Sequence, residues 1–251
     1  MSWKFNPFTK KLDYYETGGG GFGGLYSNLS IKNNTTNPNY QVDVSADTVL
    51  LEDSSKAILR IDALSETVDI SSSGANGLDT GSEAGSTWYH IWAIAKADGT
   101  KDCLLSASAT APTLPAGYTY KAYLGAVYNN GSGDFIAFHQ YDNNVSIMET
   151  GVLAGGTESS YTSVSLAAAV PSTAKTITGF MSAIGGEASQ PGGYIAATSA
   201  GLNPVTVQSG GAFGFIFTGT FTMKLVEVQT MYYKNLAPGG SVYTYLSQFS
   251  Y

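Results

Sequence analysis

Apolar and polar residues alternate with a period of two along most of the chain, the pattern of half-buried β-strands. "YQVDV" (40–44) sets Tyr40, Val42 and Val44 against Gln41 and Asp43. "AILRIDAL" (57–64) puts Ile58, Arg60 and Asp62 on one face and Leu59, Ile61 and Ala63 on the other. "WYHIWAIAKA" (88–97) and "KAYLGAVYNN" (121–130) are apolar on both faces, as strands buried on both sides are. "DFIAFHQYDN" (134–143) follows the second after "NNGSG", whose Asn and Gly residues accept positive φ cheaply, so a hairpin is expected there. "TAPTLPAGYTY" (110–120), with two prolines and a glycine, predicts a loop.

Small and polar residues in "TGVLAGGTESS" (150–160) interrupt this pattern, and a domain boundary is expected there. Strands resume in "KTITGFMSAIG" (175–185), "GYIAATSA" (193–200), "PVTVQSG" (204–210), "AFGFIFTGT" (212–220) and "TMKLVEVQTMYYKN" (222–235). "SLAAAVPS" (165–172) has room for a single helical turn before Pro171. "SVYTYLSQFSY" (241–251) closes the chain as an apolar strand, and a strand ending at Tyr251 frays unless it is docked. The spacing of turn signals is that of a sandwich or jelly-roll. The expected fold is all-β: an extended N-terminal arm over 1–24, then two antiparallel β-sandwich or jelly-roll-like domains, 25–149 and 150–251.

Composition sharpens this. Of the 251 residues only 12% are charged, about half the ~25% usual in soluble proteins. Ser, Thr, Asn, Gly and Tyr must therefore cover the surface, or subunits must hide much of it. The net charge is −7 and Arg60 is the sole arginine, which argues against phosphate recognition and hence against nucleic-acid binding. No apolar run reaches the ~18 residues of a membrane span, so no membrane insertion is expected. Neither is a signal peptide, since Asn, Pro and two lysines interrupt "FNPFTKKLDYY". Cys103 stands alone, which excludes an intrachain disulfide and reads as a small buried apolar residue.

Candidate chemistry is sparse. His90 and His139 are the only imidazoles, and His90 lies inside a strand, where histidine is usually structural. No nucleophile elbow, zincin or Walker pattern occurs. Asp79 with Glu83, and Asp43 with Asp47, have a spacing calcium tolerates, but both fit ordinary turn chemistry. No catalytic residue, metal site or cofactor is expected, and no stretch joins paired carboxylates to the aromatic cleft of a glycosidase. Trp88 and Trp92 are four apart and share a strand face, as core packing would require. The 17 tyrosines cluster in "YTYKAY" (118–123), "MYYKN" (231–235) and "VYTYL" (242–246). Tyr, Ser, Gly and Asn give contact area at small entropic cost, which suits a binding surface for sugar or protein as well as a subunit contact.

The first residues are of another kind. "WKFNPFTKKLDYYETGGGGFGG" (3–24) crowds Trp3, Phe5, Pro7 and Phe8 together, continues through Leu12, Tyr14 and Tyr15, and ends in glycines 18–21, 23 and 24. Exposed apolar clusters of this kind mark interaction sites. Burying Trp3, Phe5 and Phe8 on a partner would contribute about 1.5–3 kcal/mol each before ordering costs. Trp3, Phe5, Asn6, Pro7, Phe8, Leu12, Tyr14 and Tyr15 are therefore the candidate anchor. Gly18, Gly19, Gly20, Gly21, Gly23 and Gly24 are the candidate hinge.

"FNPFTKKLDYY" resembles the "NPFTGKLDYV"-type N-terminal peptide of structural proteins of tailed bacteriophages, with Lys10 where that family commonly has glycine. Residues 77–130, through "LDTG", "YHIW" and "SASATAPTLPAGYT", are similar to a β-rich segment of phage fibre-like and virion-surface proteins. "QTMYYKNLAPGGSVYTYLSQF" (229–249) resembles their closing strands. The resemblance implies a non-enzymatic homotrimer on the virion surface, held to a phage head or tail protein by residues 1–17, with 18–24 as leash. Loops of the distal domain would then meet a host surface glycan or protein. The alternatives are a head decoration protein that grips the capsid with the same peptide and, in another class, a carbohydrate-processing enzyme on the virion.

Overall fold

The computed structural model describes residues 2–6, 11–15, 26–185, 191–208 and 216–251. These residues are all-β, and no helix forms among them. The first strands are β1 (Ser2–Asn6), β2 (Lys11–Tyr15), β3 (Tyr26–Ser27), β4 (Ser30–Asn33), β5 (Gln41–Glu52) and β6 (Ile58–Asp69). Next come β7 (Gly77–Leu78), β8 (Thr87–Ala95), β9 (Lys101–Ser106), β10 (Tyr120–Asn129), β11 (Phe138–Tyr141) and β12 (Asn144–Gly156). The rest are β13 (Thr162–Ser165), β14 (Thr176–Ile184), β15 (Gly192–Ala196), β16 (Val205–Gln208), β17 (Ile216–Lys224), β18 (Thr230–Asn235) and β19 (Ser241–Ser250).

Thirteen strands form one sheet in the order β17-β14-β19-β12-β11-β4-β5-β10-β8-β9-β7, with β3 and β6 also paired to β5. A four-stranded sheet, β13-β18-β15-β16, packs on one end of it. Alternation drives this packing. In β14 Ile177, Met181 and Ala183 point inward, joined by Phe221 and Met223 of β17 and by Val242 and Leu246 of β19. Opposite them lie Val164, Ile195, Val207 and Met231 of the smaller sheet, in the same buried cluster. Each such side chain contributes about 1.5–3 kcal/mol on leaving water. The two layers make a β-sandwich.

The first part of the 150–160 stretch is strand. β12 is continuous from Asn144 to Gly156, so the boundary expected at 149/150 falls inside a strand. One edge of β12 pairs with β11 and the other with β19, and the buried cluster runs from Leu29 to Phe249. Three register shifts along the β12–β19 pair absorb the small residues that looked like a break. The single turn expected in 165–172 is present, with Ala169 and Val170 N–H donating to the Leu166 carbonyl at 2.9 and 3.0 Å.

Two pairings depart from the sequence pattern. The "NNGSG" turn closes, with Asn130 N–H donating to Asp134 O at 2.9 Å and Ile136 N–H to Tyr128 O at 3.0 Å. The strands then part: β10 pairs with β8, and β11 crosses to β4 and β12. In the other case, 212–235 divides later than expected, with β17 running on to Lys224 and the turn falling at 225–229.

The β5–β6 hairpin changes its buried face midway. Val42, Val44 and Ala46 are buried in the first half of β5, then Val49 and Leu51 in the second, so buried positions pass from even to odd. Ala63 sits at this level with φ +50°, a left-handed backbone uncommon outside glycine. It explains why Ala63 does not share a buried face with Ile61 and why Leu64 is buried instead. The Lys101 ammonium donates to the carbonyl of Asp62 and, at 2.8 Å, to that of Ala63.

The C-terminal strand lies inside the large sheet, with β14 on one side and β12 on the other. Docking of the Tyr251 end is thus achieved within the chain. Gly179 of β14 permits it, because a Cβ there would stand 1.9 Å from the Tyr245 carbonyl oxygen. Only glycine lets the two backbones approach so closely.

Candidate functional site

Within the expected N-terminal arm, the described residues form a pair of antiparallel strands. β1 and β2 pair through Ser2↔Tyr15, Trp3↔Tyr14, Lys4↔Asp13, Phe5↔Leu12 and Asn6↔Lys11. Directly opposed residues share a face and successive residues alternate. Positions 3, 5, 12 and 14 therefore fall on one face, which collects Trp, Phe, Leu and Tyr. Positions 2, 4, 6, 11, 13 and 15 fall on the other, where Lys4 stands opposite Asp13 and Asn6 opposite Lys11. Six of the eight candidate anchor residues thus belong to one hairpin, Asn6 and Tyr15 on its polar face. Pro7, Phe8 and the hinge glycines 18–21, 23 and 24 lie outside the described residues.

His90 and Cys103 are buried in the fold, and His139 lies at its surface. His90 is 3% exposed, and its Nδ1 lies 3.1 Å from the Tyr123 hydroxyl, which is 2.8 Å from Thr173 Oγ1. Burial lowers the His90 pKa to about 4, so the ring is neutral near pH 7. Burial also pushes the Tyr123 and Tyr251 phenols well above their ordinary value. His139 Nε2 lies 3.2 Å from Ser30 Oγ at an exposed site. Among the described residues no carboxylate is hydrogen-bonded to its other ring nitrogen, which an orienting acid would need to be. Cys103 is fully buried, and burial raises its thiol pKa, with Glu66 and Asp102 adding to the shift.

The carboxylates with calcium-like spacing make cross-links within the fold. Asp43 accepts from Asn34 Nδ2 and Thr67 Oγ1, each at 2.8 Å. Asp47 accepts from Asn28 Nδ2 at 2.5 Å, Asp79 from the Thr113 N–H at 2.9 Å and Glu83 from Asn129 Nδ2 at 3.0 Å. Among the described residues no three His, Cys, Asp or Glu side chains gather as a metal ion would require, and no helix is long and apolar enough to cross a membrane.

The aromatic residues divide into a buried set and an outward set. Trp92, Tyr123, Tyr251, Phe249, Trp88 and Tyr128 form a chain of contacts with neighbouring ring centroids 5.1–6.0 Å apart, mostly edge-to-face. The indole N–H of Trp88 donates to Ala167 O at 2.8 Å and that of Trp92 to Ser108 O at 3.3 Å. Trp88 is half-buried against the main core, and Trp92 is buried in a separate small cluster with Ile94 and Leu104. Tyr232 of "MYYKN" and Tyr243 and Tyr245 of "VYTYL" belong to the outward set. Tyr243 and Tyr245 alternate with buried Val242, Thr244 and Leu246 and lie on the face turned away from the smaller sheet. Tyr245 stacks on Phe180 of β14, ring centroids 4.9 Å apart and planes 15° from parallel. Sequence reasoning missed Phe180, because its partner is set by the β14–β19 register and not by any local motif.

The chain matches no protein-family profile, and no characterised protein shows significant sequence similarity to it.

Proposed function

We propose that this chain is a non-enzymatic structural protein on the surface of a tailed-phage particle, attached through its N-terminal peptide and presenting its β-sandwich to the host surface. One observation supports this most directly: the β1–β2 register collects Trp3, Phe5, Leu12 and Tyr14 on one face and places Lys4 opposite Asp13 on the other. Such a strand pair, followed in the sequence by a glycine run, suits a peptide that presents one apolar face to a partner. The phage assignment rests on the resemblance of residues 5–15, 77–130 and 229–249. The scarcity of charge is in keeping with a homotrimer that hides part of each subunit.

Gold labelling of intact particles with an antibody to residues 151–251, viewed by electron microscopy, tests the reading. Label at the tail supports a fibre that meets the host. Label spread over the head supports a decoration protein with the same anchor. Unlabelled particles, with antigen left in the soluble fraction, would overturn the virion assignment altogether.

A further inference from the structure

The outward face of β14, β17 and β19 is unlike the rest of the surface in its chemistry. Lys224, at one end, is the only charged residue in the three strands. Alternation turns Thr178, Phe180 and Ser182 of β14 outward, beside Thr218, Thr220 and Thr222 of β17. The hydroxyls pair across the strands, Thr178 with Thr222 at 2.9 Å and Ser182 with Thr218 at 2.8 Å. Each pair uses one donor and one acceptor and leaves further hydrogen-bonding capacity toward solvent. At the centre lies the parallel stack of Phe180 and Tyr245, with Thr220 opposite Phe180 on β17.

On the far side, β12 puts its smallest residues against the tyrosines. A Cβ on Gly151 would meet the Tyr245 ring at 3.3 Å, and one on Gly155 would stand 3.6 Å from the Tyr243 hydroxyl. With glycine at both places β12 adds no side chain over these rings. The result is a face-to-face pair of half-buried rings, Phe180 and Tyr245, standing between the glycines of β12 and the uncharged hydroxyls of β14 and β17.

We infer that this face binds a neutral saccharide of the host surface, an inference that rests on the virion-surface function proposed above. A pyranose presents a face of C–H bonds, which lies on an aromatic ring, and a rim of hydroxyls, which exchange hydrogen bonds with Ser, Thr and Tyr. Both halves of that chemistry are present at the spacing of adjacent strands. Sialate, uronate and phosphorylated sugars need cations near the ring, and the three strands offer only Lys224 at the margin. A second copy of the chain is the poorer fit, because stable subunit interfaces carry an apolar core, whereas here exposed Ile216 lies at one end of β17 and hydroxyls fill the face between the rings.

The test uses the full chain on an array of short neutral hexose and deoxyhexose oligosaccharides, with uronate- and sialate-containing oligosaccharides on the same array. Neutral oligosaccharides are expected to bind, and Tyr245→Ala or Phe180→Ala to weaken binding at least about tenfold. Thr220→Lys, an exposed change that opens no cavity, should have the same effect, while Tyr232→Ala on the smaller sheet should have none. Failure of every neutral oligosaccharide to bind, binding of charged ones alone, or equal binding by the Tyr245 and Phe180 variants would overturn the inference. So would a change of oligomeric mass in these variants without loss of sugar binding, which would make the face a contact between copies. Protein that labels particles but binds no sugar would sink the saccharide site and leave the virion reading standing; sugar binding by a protein missing from particles would do the reverse.

Discussion

The side chain of Gln140 occupies the space that a Cβ on residue 125 would need: built there, it would stand 2.1 Å from Gln140 Oε1. Gly125 follows the register shift in β10, and Gln140 Nε2 donates to the carbonyls of Leu124 at 2.7 Å and Asp142 at 2.8 Å. A buried carboxamide on β11 thus satisfies the backbone of an irregular stretch of β10, and the missing side chain at 125 makes room for it.

Gly125→Ala should therefore destabilise the protein by about 2–4 kcal/mol, through overpacking together with displacement of a buried hydrogen-bonded amide. Chemical denaturation measures this. Adding Gln140→Ala should recover part of the loss, because the two sites are coupled. Strict additivity of the two changes would contradict the packing described.

His90 predicts a pH dependence above the carboxylate range. Its folded-state pKa is about 4 against an ordinary 6.5, so between these values the unfolded chain binds a proton that the native protein does not. Stability is then fully present above pH 6.5 and falls as pH drops toward 4, by up to about 3 kcal/mol. Asp53, Asp62, Asp69 and Asp98 are shifted below their ordinary value, so their contribution is lost only at lower pH. His90→Gln should flatten the slope between pH 6.5 and 4. If the slope in that window survives the substitution, another group is responsible.

Tyr251 should act as a core residue although it is the last in the chain. Its ring meets Tyr123 at 5.7 Å and Phe249 at 5.5 Å, both edge-on. Tyr251 is half-buried against the main core, so Tyr251→Ala should cost about 2–4 kcal/mol, below the range for a fully buried aromatic side chain. Thermal unfolding that leaves Tm unchanged would show that the end of the chain is not held in this way.

The proposed anchor separates folding from attachment. Removing residues 1–17 should leave the body folded and trimeric by light scattering, at three times the 26.3 kDa chain mass, while abolishing incorporation into particles. A solution mass of one chain at micromolar concentration would count against the trimer. Truncated protein that still co-purifies with virions would remove the anchor.

The all-β character was legible in the sequence because alternation is a local property. β14, with Ile177, Met181 and Ala183 inward, and the doubly buried β8 both follow from reading side chains two at a time. The apolar composition of residues 3–15 was likewise visible, though not the pairing of β1 with β2. What alternation does not encode is which strand lies beside which. Only the tertiary structure decided that β19 sits between β14 and β12, that β11 leaves β10 for β4, and that β12 runs through the expected domain boundary. It also decided that Phe180 meets Tyr245, 65 residues away in sequence. Each of these depends on long-range pairing, whose choice rests on packing of the whole core and on single backbone irregularities such as Ala63 and Gly179. Period-two patterning specifies a strand and its faces, and the neighbours of that strand are chosen by contacts that no local window contains.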